Sequence, residues 1–157
     1  MVKDLLTIDG LVERRLQLAR ADLQQFDVAD QIPDVRTLGA KRAGRAVRLA
    51  AILRLSGASA EATHLGLHGT RDDFHASIPL QAVADRAVVI FAVGDEPLPA
   101  ADGGPFRFYI PDHAACHSAE IDECANVKFL DRIELTSTKG FDNRPQDDEA
   151  HARLHAT

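Results

Sequence analysis

Gly103-Gly104-Pro105-Phe106-Arg107-Phe108-Tyr109-Ile110-Pro111, and after a polar loop Asn126-Val127-Lys128-Phe129-Leu130-Asp131-Arg132-Ile133-Glu134-Leu135, is the stretch whose reading decides the fold. The paired glycines and proline mark a turn, and residues 106–110 are predicted to leave it as a strand. Residues 127–135 read as one strand or two. Between them, residues 111–125 form a loop rich in His, Cys and acidic side chains.

Working outward, residues 5–8 read as a strand closed by the turn pair Asp9-Gly10, and a second strand is expected within residues 12–18. Residues 21–26 suit a short helical turn with Asp22 in its first turn. Pro33 precedes a predicted short strand at 35–38, and residues 39–44, Gly-Ala-Lys-Arg-Ala-Gly, form a flexible basic loop. Residues 47–55 carry the clearest helical period, with Leu49, Ile52, Leu53 and Ser56 on one face and Gly57 at the C-terminal cap. Residues 64–68 and 75–78 alternate polar and apolar around a hairpin-like turn at 69–73. Pro79 opens a short helix over 80–84. Residues 87–93 are a near-continuous apolar run, expected of a strand buried on both faces, and residues 94–97 turn the chain. Short strands and short helices in no strict βαβ order predict an α+β fold with a mixed sheet.

The 157 residues suit one compact domain, taken as 5–136, with 137–157 as a polar tail carrying a short helix. Apolar residues at 45% and charged residues at 27% are ordinary for a soluble protein. The net charge of −6 draws the chain neither to nucleic acid nor to an anionic membrane. No apolar run approaches the roughly 18–20 residues that span a bilayer. The N-terminus lacks the pattern of a secretory signal, so a cytoplasmic location is expected. The sequence does not reveal an oligomeric state.

The two quoted segments resemble the molybdopterin-binding domain of the sulfite oxidase family and the related methionine sulfoxide reductases. Those proteins carry a Gly-x-Pro-Leu-Arg-(three apolar)-Pro segment, then a Val-Lys-(aromatic) strand ending in Ile-Glu-Leu. Other parts agree in order: Leu6-Thr7-Ile8-Asp9-Gly10-Leu11-Val12 with the opening strand and turn, and Val47-Arg48-Leu49 with Ile52-Leu53 at the helix start. Residues 64–80 match a strand pair, and Gly94-Asp95-Glu96-Pro97-Leu98 a turn. The resemblance implies a small-molecule partner, a molybdopterin or similar anion. Arg107 would meet its phosphate with a bidentate fork that Lys cannot copy. Gly103 and Gly104 would allow close backbone approach. Asn126, Val127 and Lys128 would form the second binding segment. Asp102 falls where relatives place Asn or His, and an acid there would repel phosphate. A mid-domain contact falls near residues 68–70, with His68 the candidate. Without the resemblance, Arg107 and Lys128 read as ordinary solvated charges.

Family members bind molybdenum through a cysteine thiolate on the segment before the helix, here residues 34–44. That segment contains no cysteine, and none occurs before Cys116. Thr37 cannot replace a soft thiolate. The family's dimerisation and haem domains have no counterpart here. The expectation is therefore a stand-alone molybdopterin-binding domain without the usual thiolate-held metal.

His113, Cys116, His117 and Cys124 are a candidate zinc or iron set, although their spacing matches no standard finger. The plainer reading is a polar loop with two free thiols, and a disulfide is a third option. His151 and His155 would share one face of a terminal helix, where an exposed tail with a Glu149–Arg153 pair is the simpler account. His64, His68 and His75 flank one hairpin and fit partly buried, hydrogen-bonded histidines. Two further functional readings stay open: a molybdenum oxidoreductase with another metal ligand, drawn from residues 113–124, or a repurposed scaffold with a zinc or iron site.

Overall fold

The computed structural model describes residues 4–112, 121 and 125–144. In chain order its first elements are β1 (Leu6–Gly10), β2 (Leu16–Leu18), α1 (Arg20–Gln24), β3 (Gln31–Ile32), β4 (Arg45–Arg48) and α2 (Leu49–Ser56). There follow β5 (His64–Gly69), β6 (Phe74–Pro79), α3 (Leu80–Val83), β7 (Val88–Val93), β8 (Glu96–Pro97), β9 (Arg107–Tyr109) and β10 (Arg132–Thr136).

Period-two alternation builds the first sheet, in the order β2-β1-β10-β5-β6. Ile8, Ile133, Leu67 and Ala76 stand in one cross-strand row, and Leu135, Leu65 and Ile78 in the next. All of them are fully buried or nearly so. The alternate row Thr7, Arg132, His68 and His75 faces the other way. β1 and β10 run parallel; the other pairs are antiparallel.

The second sheet runs β3-β4-β7-β8, with β9 also paired to β7. Val89 and Phe91 join the main core, whereas Val88 and Ile90 pack with Ile32, Val35, Ala46 and Leu98 on the opposite face. Apolar cover on both faces accounts for the unbroken run in β7. This mixture of two sheets and three short helices is the α+β arrangement expected.

Several boundaries differ from the sequence expectations. Residues 35–38 form a 3-10 turn rather than a strand: the Asp34 carboxylate accepts the Arg36 N–H at 3.0 Å, Thr37 Oγ1 donates to the Asp34 carbonyl at 2.7 Å, and Gly39 closes the turn at φ 99°. Such local bonds compete with strand pairing. The predicted helix 47–55 splits into β4, paired with β7, and α2, which ends on Gly57 at φ 70°. Gly10 belongs to β1 rather than to a turn. Its φ is 87°, and a Cβ there would lie 2.2 Å from the Leu135 carbonyl oxygen. Of residues 12–18 only Leu16–Leu18 form a strand, and of 127–135 the strand begins at Arg132.

Residues 140–144 dock along the free edge of β6. Asp142 accepts the Ser77 N–H at 2.9 Å and Asn143 Oδ1 the His75 N–H at 2.8 Å, while Gly140 N–H donates to Ser77 Oγ at 2.9 Å. The Asp142 and Arg144 side chains, both almost wholly buried, pair at 2.6 Å. Burial pushes the Asp142 carboxyl up, but Arg144 and the N–H groups of Ser77 and Arg144 outweigh it and hold the carboxyl below its ordinary value of 3.8. A depressed carboxyl contributes stability that is present above the unfolded-state value and disappears as pH falls through the folded one. Urea unfolding at neutral pH is expected to show Asp142→Ala less stable by about 2–4 kcal/mol. The gap should narrow below pH 3.8; an equal gap at both pH values would contradict the assignment.

Candidate functional site

Along β9, alternation sends Phe106, Phe108 and Ile110 into the core and leaves Arg107 and Tyr109 on the opposite face. Tyr109 packs there, as Leu38 and Ala40 do, against the smaller core cluster, and a Cβ on Gly39 would lie 4.0 Å from its hydroxyl. Gly44 lets the segment settle onto β7, since a Cβ would lie 2.9 Å from Ile90 Cγ2. Residues 34–44 therefore border the face that carries Arg107.

Three further pieces meet Arg107. The turn before β9 places Gly103 at φ 89°, and a Cβ on it would lie 2.9 Å from Lys128 Cγ and 3.1 Å from Arg107 Cδ. The Arg107 and Lys128 stems thus close directly over Gly103, where any side chain would collide with them. The Asp102 carbonyl accepts Arg107 Nη1 at 3.4 Å, and its carboxylate pairs with Arg42 from the basic loop. The acid expected to repel an anion is accordingly covered by a cation. Burial lowers the Arg107 pKa, the Arg42 charge adds to that effect, and Asp102 opposes it. Arg107 nonetheless stays charged, given how high arginine starts. Among the described residues its Nε is buried and without a hydrogen-bond partner. A buried, unpaired donor on a cation, beside a lysine stem, fits an oxyanion.

The second predicted segment is placed by main-chain bonds. Asn126 Oδ1 accepts the Ile110 N–H at 2.8 Å, and the Val127 carbonyl accepts Phe108 N–H at 3.0 Å. Phe129 N–H reaches the Gly103 carbonyl at 2.7 Å, and Leu130 N–H the Phe106 carbonyl at 2.8 Å. Asn126 and buried Val127 thus clamp the segment to β9, and Lys128 is left exposed beside Gly103. His68 contributes its carbonyl to Asp131 N–H at 2.9 Å. Its ring is engaged with His75, Nδ1 to Nδ1 at 2.8 Å, and with Glu134 at 3.1 Å. His75 in turn meets Asp73 at 2.9 Å. The structure brings Asp102, Gly103, Arg107 and Lys128 together, and gives the His68 side chain other partners.

His113, Cys116, His117 and Cys124 lie outside the described residues, as do His151 and His155. Among the described residues, no group of three or more His, Cys, Asp or Glu could hold a metal ion. An open groove of about 760 Å³ lies elsewhere, between β2, α1 and α2, lined among others by Arg14, Phe26 and Arg54. No described helix is long and apolar enough to cross a membrane. Sequence reading did not single out Arg42 or Tyr109. Alternation from Arg107 points to Tyr109, whereas nothing local in the 39–44 loop marks Arg42 for Asp102.

A family model described as oxidoreductase molybdopterin binding domain matches residues 4–143. Among solved structures, the sulfane dehydrogenase SoxCD from Paracoccus pantotrophus superposes with a TM-score of 0.63 at 20% sequence identity. The match covers 88% of this chain and 40% of that one, so the chain spans about two-fifths of its structural relative. No curated protein matches the chain.

The Asn126 clamp is testable without a ligand. Asn126→Ala removes the acceptor of the Ile110 N–H and should lower stability by about 1–2 kcal/mol in chemical denaturation. Unchanged stability would show that the side chain is not holding the segment.

Proposed function

The chain belongs to the oxidoreductase molybdopterin-binding domain family, and from that membership we propose that it binds a molybdopterin-type cofactor by its phosphate without the usual protein thiolate on molybdenum. Arg107 receives the phosphate, Lys128 adds a second cation, and Gly103 lets the two stems pack side by side. The observation that carries this reading is the buried, unpaired Nε of Arg107 beside the Lys128 stem. Such a donor costs free energy until an acceptor arrives, and a phosphate supplies acceptors and charge together.

The residues fit the phosphate end of the cofactor better than the metal end. Residues 34–44, which border the Arg107 face, offer Thr37 but no thiol, and Thr37 Oγ1 is spent on the Asp34 carbonyl. When bound, the cofactor supplies the redox chemistry; the protein supplies orientation and charge. Arg107 and Lys128 hold the anion, Tyr109 and the 34–44 segment shield one side, and Asp102 with Arg42 sets the local field. A role as a cofactor-binding or accessory domain follows more directly from these residues than turnover does.

Elemental analysis beside fluorescence detection of released, oxidised pterin tests the reading, on protein from a host that makes the cofactor. Pterin with little molybdenum is expected. Stoichiometric molybdenum would favour an oxidoreductase with another metal ligand, and zinc or iron alone would move the function to residues 113–124. Arg107→Ala should reduce recovered pterin by about tenfold to a hundredfold, the loss of a charge-assisted pair. Undiminished pterin in a folded variant would overturn the role of Arg107.

A further inference from the structure

The Arg42–Asp102 pair sits beside Arg107 with the Arg42 side chain three-quarters exposed. Exposed pairs of this kind contribute about 0–1 kcal/mol to stability, so its main effect here is on where charges stand. Asp102 serves both cations at once, its carboxylate taking Arg42 and its carbonyl taking Arg107 Nη1. Arg42 is near enough to Arg107 for its charge to oppose that guanidinium. Two like charges are thus held close by a single acid, and the buried Nε of one of them is unpaired.

We propose that Asp102 and Arg42 form a latch on the anion site. In the free protein the Asp102 carboxylate holds Arg42 aside. An arriving phosphate monoester then takes Arg42 over as a third cation, next to Arg107 and Lys128. The latch rests on the reading of Arg107 as the phosphate ligand and adds to it the residue whose exchange gates binding. It also sets selectivity. A phosphate monoester brings two charges and three terminal oxygens, enough to draw Arg42 from a lone carboxylate. A sulfate monoester of the same shape brings one charge and competes poorly. Exposure of Arg42 on a glycine-flanked loop allows the exchange without disturbing the core.

A double-mutant cycle separates this latch from simple repulsion by Asp102. The probe is methyl phosphate, titrated by NMR at about pH 8, where the monoester, with a second pKa of about 6, carries both charges. Asp102→Asn should tighten binding by roughly two- to fivefold, the worth of an exposed pair. That gain should shrink when Arg42→Ala is also present, leaving only the lost repulsion of an uncovered Asp102, and Arg42→Ala alone should weaken methyl phosphate more than methyl sulfate. An equal gain with and without Arg42 would mean that Asp102 merely repels the ligand, and the latch would be wrong. No gain from Asp102→Asn would also overturn it. Arg107→Ala distinguishes the two levels. If that variant loses methyl phosphate while the cycle is additive, the phosphate site stands and only the latch falls. If Arg107→Ala binds as the parent does, or the parent does not bind, the phosphate reading fails and the latch with it.

Discussion

Main-chain hydrogen bonds from one irregular segment, residues 126–131, hold the candidate site together. Val127 and Leu130 bond to Phe108 and Phe106 beside the second sheet, Phe129 bonds to the Gly103 turn, and Asp131 bonds to His68 of the first sheet. Here the backbone polar groups of a loop do the joining, and each is satisfied in doing so. Phe129 takes a left-handed φ of 54° within this arrangement, and Arg71 lies 4.5 Å over its ring. Gly69 is needed on the opposite bank, where a Cβ would lie 2.7 Å from the Lys128 carbonyl oxygen.

This stitching explains how much of the protein was legible in its sequence. Elements with a simple period were readable: β7 from its apolar run, the β5–β6 hairpin from alternation around a polar turn, and the end of α2 from Gly57. Elements governed by side-chain-to-backbone bonds were not. The Asp34 carboxylate turned an apparent strand into a 3-10 turn, and residues 127–131 have strand-like composition yet bond in three directions. The same division runs through the candidate site. Arg107, Gly103 and Lys128 stood in a motif, and the structure places them side by side. Asp102 was readable as an acid beside the motif's arginine, but its Arg42 partner lies sixty residues away in sequence, beyond any local pattern. His68 was readable as a histidine on a strand face, whereas its commitment to His75 and Glu134 depends on strand register.

The outer face of the first sheet is a second polar system, separate in construction from the Arg107 cluster. Arg132 holds Asp9 at 2.9 Å across the parallel pair and Glu134 at 3.3 Å, and Glu134 continues to His68 and His75. The bond to Asp9 leads the effects that raise Arg132 above its ordinary value. At the His68–His75 contact one ring nitrogen must donate and the other accept, while the Nε2 of each ring faces a carboxylate, Glu134 or Asp73. The network thereby fixes side chains at the strand end from which the Lys128 segment departs.

The docking of residues 140–144 bears on how the molecule behaves toward its own copies. An open strand edge is a template: its outward N–H and C=O groups invite another chain to add a strand, and sheets can grow this way without limit. At β6 the outward donors of His75 and Ser77 are already occupied by side-chain oxygens of Asn143 and Asp142. An incoming strand would find no free donor at either position. The stretch just beyond the last strand therefore acts as a stopper on sheet growth, keeping that end of the sheet closed to self-association.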